Sequence, residues 1–272
     1  MQFIIPPSLT KKHEQALTAY LTDRRKLTTA VWQNLYEAID ILDEAQVIIG
    51  HSKQTFRQLY DVYVAQPFAS PYIDQLLTTK DVAKEGSMLA AVFARQIGPS
   101  LQKADLVRRD TPQSWLLLVY CLYWWQSFAR GYSFEVEIMR DLTSSGIQFQ
   151  MHDIRHRSER YSPADLIVSN LMGDIKTSIY FLQQQVRGEL SNDFYITRLF
   201  DKGHERILVV FQKPFAWEFI GGGTAVPSTL ENVLSLLPRP VQIAQHGIIL
   251  VVIDYESWKQ LVRRKQAGAE HV

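Results

Sequence analysis

The chain is poor in cysteine: Cys121 is the only one among 272 residues, so no intramolecular disulfide framework can form. A single cysteine is typical of a reducing compartment, and we expect the protein to be cytoplasmic. Long hydrophobic runs are also lacking. The most apolar stretch, Trp115 to Trp125, is too short to span a bilayer, and Arg130 follows it closely. We therefore expect no membrane segment. We also expect no signal peptide at the N-terminus.

An excess of charge of either sign is absent as well. The chain carries 29 lysine and arginine residues against 28 aspartate and glutamate residues, which gives a net charge of +1. The molecule as a whole therefore exerts no strong attraction on nucleic acid, and any nucleic-acid surface must be a local patch. Hydrophobic residues make up 46% of the chain, which is enough for folded cores and excludes a disordered class.

The spacing of apolar residues indicates that the first part of the chain is helical. Ser8 or Thr10 can cap the first helix, the apolar positions of the second extend to Val47, and Ser52 can cap the third. We predict an all-helical domain over residues 1–130, with a role in recognition or dimerisation. Its predicted breaks are at 66–71 and 98–99, where proline disfavours helix, and its last helix spans 112–128.

Past Gly131 the pattern changes from helices to short runs of β-type residues. A helix from Phe134 to Thr143 comes first, and a mixed helical stretch lies at about 182–200. Strands that alternate with helices favour a sheet covered by helices, so we predict an α/β domain over residues 131–272 with a mixed central sheet flanked by helices. The predicted strands are 147–154, 165–168, 174–181, 207–211 and 248–253, followed by a helix over 256–265.

Three charged residues, Asp165, Asp174 and Lys176, form the sharpest local pattern. Asp165 begins one predicted strand, and Asp174 begins the next after a turn through Asn170 and Gly173. Side chains at positions i and i+2 lie on one face of a strand, so Asp174 and Lys176 should point the same way. A hairpin at this place would therefore bring two carboxylates and one ammonium group together at one end.

This set of groups suits phosphodiester hydrolysis. Mg²⁺ usually binds through one or two carboxylates and keeps several waters. The ion polarises phosphoryl oxygens and lowers the pKa of a bound water, and a neighbouring lysine can orient that water or offset developing charge. A purely structural alternative is that Asp174 and Lys176 form a surface cross-strand ion pair while Asp165 caps a turn.

At these residues the sequence resembles the PD-(D/E)xK nuclease superfamily, which has the restriction-endonuclease-like fold. The family's first acidic residue matches Asp165, with one alanine inserted after the proline, and its D/E-x-K element matches Asp174 to Lys176. The resemblance covers roughly residues 131–265, where the order of predicted helices and strands fits the family. No Gln-x-x-x-Tyr element follows Lys176, which disfavours the RecB-like branch of the superfamily.

The resemblance also implies roles for individual residues. The helix before the first strand often carries a glutamate in the family; Glu135 stands at the matching place, and Glu137 is the weaker candidate. Lys176 is implied to position water beside a bound Mg²⁺ or Mn²⁺ ion. The implied ligands of that ion are Asp165, Asp174 and the carbonyl oxygen of Ile175.

From the resemblance we expect a metal-dependent nuclease, an endonuclease that hydrolyses phosphodiester bonds in DNA. A homodimer is a reasonable expectation, because cutting both strands of a duplex commonly takes two such sites. The alternative is a catalytically silent protein of the nuclease fold that acts as a nucleic-acid- or protein-binding module. Metal-dependent cleavage that depends on Asp174 and Lys176 would discriminate the two.

A basic segment next to these residues has more than one interpretation. Its histidines and arginines could contact phosphates that flank the scissile bond, or could belong to a solvated loop. A zinc site on His152 and His156 lacks a second pair of ligands, which disfavours it. The segment 221–224, Gly-Gly-Gly-Thr, is interpreted as a flexible loop rather than a phosphate-binding loop, since no Lys-Ser/Thr follows. The basic residues of the segment are His152, Arg155, His156, Arg157 and Arg160.

Overall fold

The structure is a computed structural model that describes residues 1–154, 162, 164–178, 190–201, 204–212, 225–245 and 247–269. The chain divides into two compact units, Met1–Arg130 and Gly131–Val272. One helix, α6 (Ser114–Ser144), contributes residues to both units. Within the described ranges, no helix combines the length and the apolar character that a membrane crossing requires.

The first unit is mainly helical, as its apolar spacing predicts. Thr10 is the N-cap of the first helix and forms a capping box with His13, so the prediction of Thr10 as a cap is confirmed. A π-helical segment, Asp61–Ala65, joins the third helix to the fourth. The helices of this unit besides α6 are α1 (Lys11–Thr22), α2 (Thr29–Asp43), α3 (Phe56–Tyr60), α4 (Gln66–Thr78) and α5 (Val82–Lys103).

A small antiparallel sheet interrupts these helices, and the prediction that residues 1–130 are wholly helical is wrong in this respect. The three strands pair in the order β1-β2-β3. Gly50 has a φ of +60° in the two-residue turn between the second and third strands, a conformation that such hairpins require. Thr55, not Ser52, caps α3. The strands are β1 (Gln2–Ile4), β2 (Gln46–Ile49) and β3 (Ser52–Thr55).

Three predicted helix breaks are wrong because the helices continue through them. Pro71 lies inside α4, Pro99 lies inside α5, and α6 passes through Gly131, so the two helices predicted over 112–128 and 134–143 are one. An internal proline removes one backbone hydrogen bond, and glycine lowers helix stability by about 1 kcal/mol relative to alanine. Burial of neighbouring side chains offsets such costs: Tyr72 and Ile73 are fully buried in α4.

The second unit is built on one mixed sheet. Its described strands pair in the order β4-β5-β6-β7-β8-β11-β10-β9, with parallel pairing between β6 and β7 and between β9 and β10. The sheet and its helices confirm the predicted α/β character. The strands are β4 (Gln150–Met151), β5 (Leu166–Val168), β6 (Leu171–Lys176), β7 (Phe194–Asp201), β8 (His204–Gln212), β9 (Val226–Ser228), β10 (Val241–Gln245) and β11 (Ile248–Asp254).

Each face of this sheet has its own apolar cluster. On one face, the strands pack with Phe134 and Leu142 of α6 and with Trp258 of α8 (Tyr255–Ala269). On the other face, Tyr195 and the neighbouring strand residues pack with a cluster that includes Val233 of the short helix α7 (Val233–Leu236). The helices that flank the sheet therefore lie against buried, alternating strand positions, as the pleat requires.

Several strand boundaries differ from the predicted ones. Residues 194–201 form β7 although they were assigned to the helical stretch 182–200, because alternate residues of this segment pack on opposite faces of the sheet. The strand predicted over 147–154 is limited to Gln150–Met151 among described residues. The strand predicted to begin at Asp174 is β6, which begins at Leu171 and ends at Lys176, so Asp174 lies in its second half and Gly173 lies in the strand rather than in the turn. Residues 179–189, which belong to the predicted strand 174–181 and to that helical stretch, lie outside the described residues.

Candidate metal centre

The β5–β6 hairpin brings Asp165 and Asp174 together. Leu166 pairs with Gly173, so Asp165 and Asp174 stand opposite each other one residue beyond the last pair. The backbone N–H of Asp165 donates to the carbonyl of Gly173 at 2.9 Å, which fixes this register. Opposite residues of an antiparallel pair lie on the same face, and the two carboxyl groups share a hydrogen bond.

Close packing under the hairpin explains the glycine at its centre. A Cβ atom added to Gly173 would lie 2.2 Å from the Phe194 ring, which covers this position from the neighbouring strand. The ring therefore holds β6 against β7 on the apolar face. Asp174 and Lys176 consequently occupy the alternate positions, away from that cluster.

Lys176 lies beside Asp174, as the two-residue spacing predicts. Its Nζ is 2.5 Å from Oδ2 of Asp174, and the pair is formed along one strand rather than across two. The Asp174 side chain is 14% exposed, whereas that of Lys176 is 42% exposed. The aspartate is therefore held in the protein while the ammonium group remains accessible to a molecule that approaches from solvent.

Among the described residues, Asp165 contacts the neighbouring strand rather than capping a turn. The observed geometry therefore differs from the purely structural alternative, in which Asp165 caps a turn. Its Oδ2 accepts the backbone N–H of Ile175 at 2.7 Å. This contact holds the carboxylate against the strand that carries Asp174 and Lys176. Ile175 thus contributes its N–H to the cluster, and the use of its carbonyl oxygen as a metal ligand stays a prediction.

Glu135 supplies a third carboxylate, from helix α6. Its Oε2 is buried and has no hydrogen-bond partner in the described structure. The charge of Asp174 acts on it, and its own charge acts on Asp165, so the three carboxylates form one group. Glu137, the weaker candidate, pairs instead with Arg198 at 2.5 Å.

Arg198 holds this part of α6 on the sheet. Its guanidinium group lies 4.1 Å from the centre of the Phe134 ring and pairs with Glu205 of β8 as well as with Glu137. The residues on both sides of Glu135 along the helix are therefore anchored to β7 and β8. This anchoring holds the backbone that carries Glu135 against the sheet.

The electrostatics of the three carboxylates are unfavourable without a cation. Burial raises the pKa of Asp165 above its ordinary value, and the hydrogen bond to Asp174 and the charge of Glu135 raise it further. Burial likewise raises the pKa of Glu135, as does the charge of Asp174, while Lys176 acts in the opposite direction. No described lysine or arginine forms an ion pair with Asp165 or Glu135, so one positive charge serves three acids.

His152 also belongs to the cluster, and the sequence did not assign it there. Its Nδ1 is 3.1 Å from the carbonyl oxygen of Asp165. One ring nitrogen of His152 and one carboxylate oxygen each of Glu135 and Asp165 lie within 4.8 Å of one another. The position of His152 directly after β4, beside β5, was the available signal. His156, Arg157, Arg160 and the segment 221–224 lie outside the described residues.

The residues that converge here fit a divalent cation. Carboxylate oxygens are the ligands that Mg²⁺ and Mn²⁺ prefer, and a bound ion would compensate the excess negative charge and give the buried Glu135 oxygen a partner. Glu135, Asp165, Asp174 and Lys176, all predicted from the sequence, are brought together from one helix and one hairpin.

Comparisons with protein-family models, with curated proteins and with solved structures find no match for this chain.

Proposed function

We propose that the second unit is a metal-dependent phosphodiester hydrolase, a nuclease of the PD-(D/E)xK type, with DNA as its substrate. The observation that carries the proposal is the convergence of three carboxylates and one partly exposed lysine, in which a buried carboxylate oxygen of Glu135 has no partner within the described ranges. Such a group is costly for the fold and is typical of a functional site.

Asp165 and Asp174, with Glu135 beside them, would hold the ion. When bound, it would polarise a phosphoryl oxygen and lower the pKa of a coordinated water. The hydrogen bond from the Ile175 N–H to Asp165 keeps that carboxylate directed towards Asp174. The protein thus pre-orients the ligand oxygens and excludes solvent from the deepest of them.

Lys176 supplies the positive charge that faces the substrate. Hydrolysis joins a water oxygen to phosphorus and breaks one P–O ester bond, with a proton from the water ending on the leaving oxygen. Negative charge grows on the phosphoryl oxygens during this step, and the Nζ of Lys176 can donate a hydrogen bond to them or to the attacking water. Its contact with Asp174 fixes the ammonium group where this donation is possible.

The order of elements supports the assignment to this superfamily. A helix that carries a glutamate precedes an antiparallel pair of strands, of which the first begins after Asp165 and the second ends on Asp174-Ile175-Lys176. A parallel strand, β7, then lies next to β6. This arrangement agrees with what the sequence resemblance implies for residues 131–265.

Cleavage of supercoiled plasmid and of single-stranded DNA, with Mg²⁺ or Mn²⁺ and with EDTA, tests the proposal. We expect metal-dependent nicking that Asp174→Asn and Lys176→Met abolish. Asp193→Asn is the matched control, because Asp193 also accepts a strand N–H, that of Met172 at 2.8 Å, but stands outside the carboxylate group. Absence of cleavage with every metal and substrate, or equal loss in the control, would refute the proposal.

A catalytically silent binding module is the second candidate function. The observation that favours it is the close Asp174–Lys176 ion pair, which satisfies both charges without a metal. This alternative predicts that nucleic-acid or protein binding is unchanged in the Asp174 and Lys176 variants and that no metal promotes cleavage. A homodimer is part of the first proposal, and light scattering of the purified chain measures it.

A further inference from the structure

The environment of His152 differs from that of a surface histidine. It follows β4, the edge strand of the sheet, and its ring contacts the backbone of Asp165 rather than solvent alone. A carbonyl oxygen can only accept a hydrogen bond, so the Nδ1 of His152 is the donor in this contact. The lone pair of the neutral ring is therefore on Nε2.

This hydrogen bond is the kind that metal-bound histidines make. A histidine ligand commonly donates its other ring N–H to a carbonyl or carboxylate group, which fixes the tautomer and the orientation of the ring. Here the acceptor belongs to Asp165, a residue of the carboxylate group. The backbone that positions Asp165 thus also positions the imidazole.

We infer that His152 is a ligand of the ion held by Glu135 and Asp165, and that it makes the centre select first-row transition cations over Mg²⁺. The inference rests on the metal centre of the proposed function and adds the nature of its ion. It is carried by the mutual approach of the three ligand groups to within 4.8 Å and by the buried Glu135 oxygen, which has no partner in the described part of the chain.

The chemistry of the ligands gives the selectivity. Mg²⁺ takes oxygen ligands in a nearly ideal octahedron and keeps its waters. An imidazole nitrogen binds transition cations more strongly, in the general order that rises from Mn²⁺ to Cu²⁺. A site made of carboxylates alone would discriminate little between Mg²⁺ and Mn²⁺, whereas one with His152 should bind Mn²⁺ more tightly.

The experiment uses the full chain with Mn²⁺ and Mg²⁺ alone as probes. Calorimetric titrations give the affinity for each ion in the wild type, in His152→Gln and in the control His51→Gln, whose side chain is exposed in the β2–β3 turn. We expect His152→Gln to weaken Mn²⁺ binding at least tenfold and Mg²⁺ binding less than threefold. His51→Gln should change neither.

Pulsed electron paramagnetic resonance of the Mn²⁺-loaded wild type provides a second readout that needs no variant. A coordinated imidazole nitrogen gives a nitrogen coupling, and we expect it in the wild type and not in His152→Gln. Even if that variant fails to fold, the absence of a nitrogen coupling in the wild type overturns the inference.

The outcomes separate this inference from the proposed function. Mn²⁺ that binds without a nitrogen coupling, or with equal loss for both ions in His152→Gln, overturns the role of His152 and leaves the nuclease proposal standing. A nitrogen coupling in a protein that cleaves no nucleic acid supports the metal site and refutes the nuclease. Absence of any divalent binding overturns both.

Discussion

Two polar clusters share helix α6 but differ in how their charges are balanced. In the first, Glu135 and Asp165 contact no described lysine or arginine, and only Asp174 has a cation, Lys176. In the second, which we call the Lys259 cluster, Lys259 of α8 pairs with Asp141 of α6 at 2.7 Å and with Glu256 at 2.8 Å, and lies 4.9 Å from the centre of the Tyr255 ring.

The difference in charge balance indicates different roles for the two clusters. The Lys259 cluster joins two helices that pack on the same face of the sheet, and each of its carboxylates contacts the shared ammonium group directly. Both carboxylates of this cluster are therefore paired with a cation inside the protein. The Glu135 cluster places carboxylates against one another and leaves a buried oxygen of Glu135 without a partner among the described residues. Such an arrangement is typical of a functional site, and the proposed cation would complete it.

The largest effect should come from exchanging the two lysines for methionine. Lys176→Met should lower kcat for DNA cleavage by about 100-fold or more, because the proposed mechanism uses its ammonium group as a hydrogen-bond donor to the phosphoryl oxygens or the attacking water. Lys259→Met should lower the melting temperature and change kcat less than about threefold. Single-turnover kinetics with saturating metal measure both. Equal losses of kcat would show that Lys176 has no special role.

Smaller effects, of opposite sign, are expected on the free energy of unfolding in metal-free buffer when Asp141 and Glu135, two of the three acidic residues of α6, are substituted. Asp141→Asn should reduce the free energy of unfolding by about 1–2 kcal/mol, because the buried Lys259 loses a partner while the aspartate is partly exposed. Glu135→Gln should leave the free energy of unfolding unchanged or raise it, since it removes a buried charge next to other carboxylates. Urea unfolding in EDTA measures this difference, and destabilisation by both would contradict the contrast.

The smallest effect concerns pH. The folded protein holds the pKa values of Asp165 and Glu135 above their ordinary values of 3.8 and 4.5, so it binds these protons more tightly than the unfolded chain does. The cost of ionising the two groups is absent below those ordinary values and grows as the pH rises through the raised ones. Metal-free stability should therefore fall towards alkaline pH, and less steeply in Asp165→Asn than in the wild type or Asp141→Asn. Urea unfolding across pH 5–9 in EDTA checks this, and equal slopes would contradict it.

The local pattern of the site could be read from the sequence because it depends on strand geometry alone. The two-residue spacing of Asp174 and Lys176 fixes them on one face. The position of Asp165 opposite Asp174 comes from the register of the hairpin, in which the second strand begins at Leu171 and not, as predicted, at Asp174. The continuous apolar runs that form β8 and β11 indicated central strands, and both faces of these strands are indeed buried.

What the sequence did not disclose depends on contacts between distant segments. Val47 fits a helical pattern, but pairing with the N-terminal residues makes it part of a strand. Residues 194–201 form a strand because its first residues, Phe194 and Tyr195, are buried on opposite faces of the sheet, and no local signal indicates this. His152 is thirteen residues from Asp165 in the chain, and only the pairing of β4 with β5 places its ring on the Asp165 carbonyl.

Anomalous diffraction from crystals soaked in Mn²⁺ tests the convergence of carboxylates most directly. We predict a single strong peak in the second unit, within about 2.0–2.3 Å of carboxylate oxygens of Asp165 and of at least one neighbouring acid, with Lys176 facing the ion's open side. A crystal that is saturated with Mn²⁺ but shows no peak there, with the Asp174–Lys176 pair unchanged, would contradict the assignment of a metal centre.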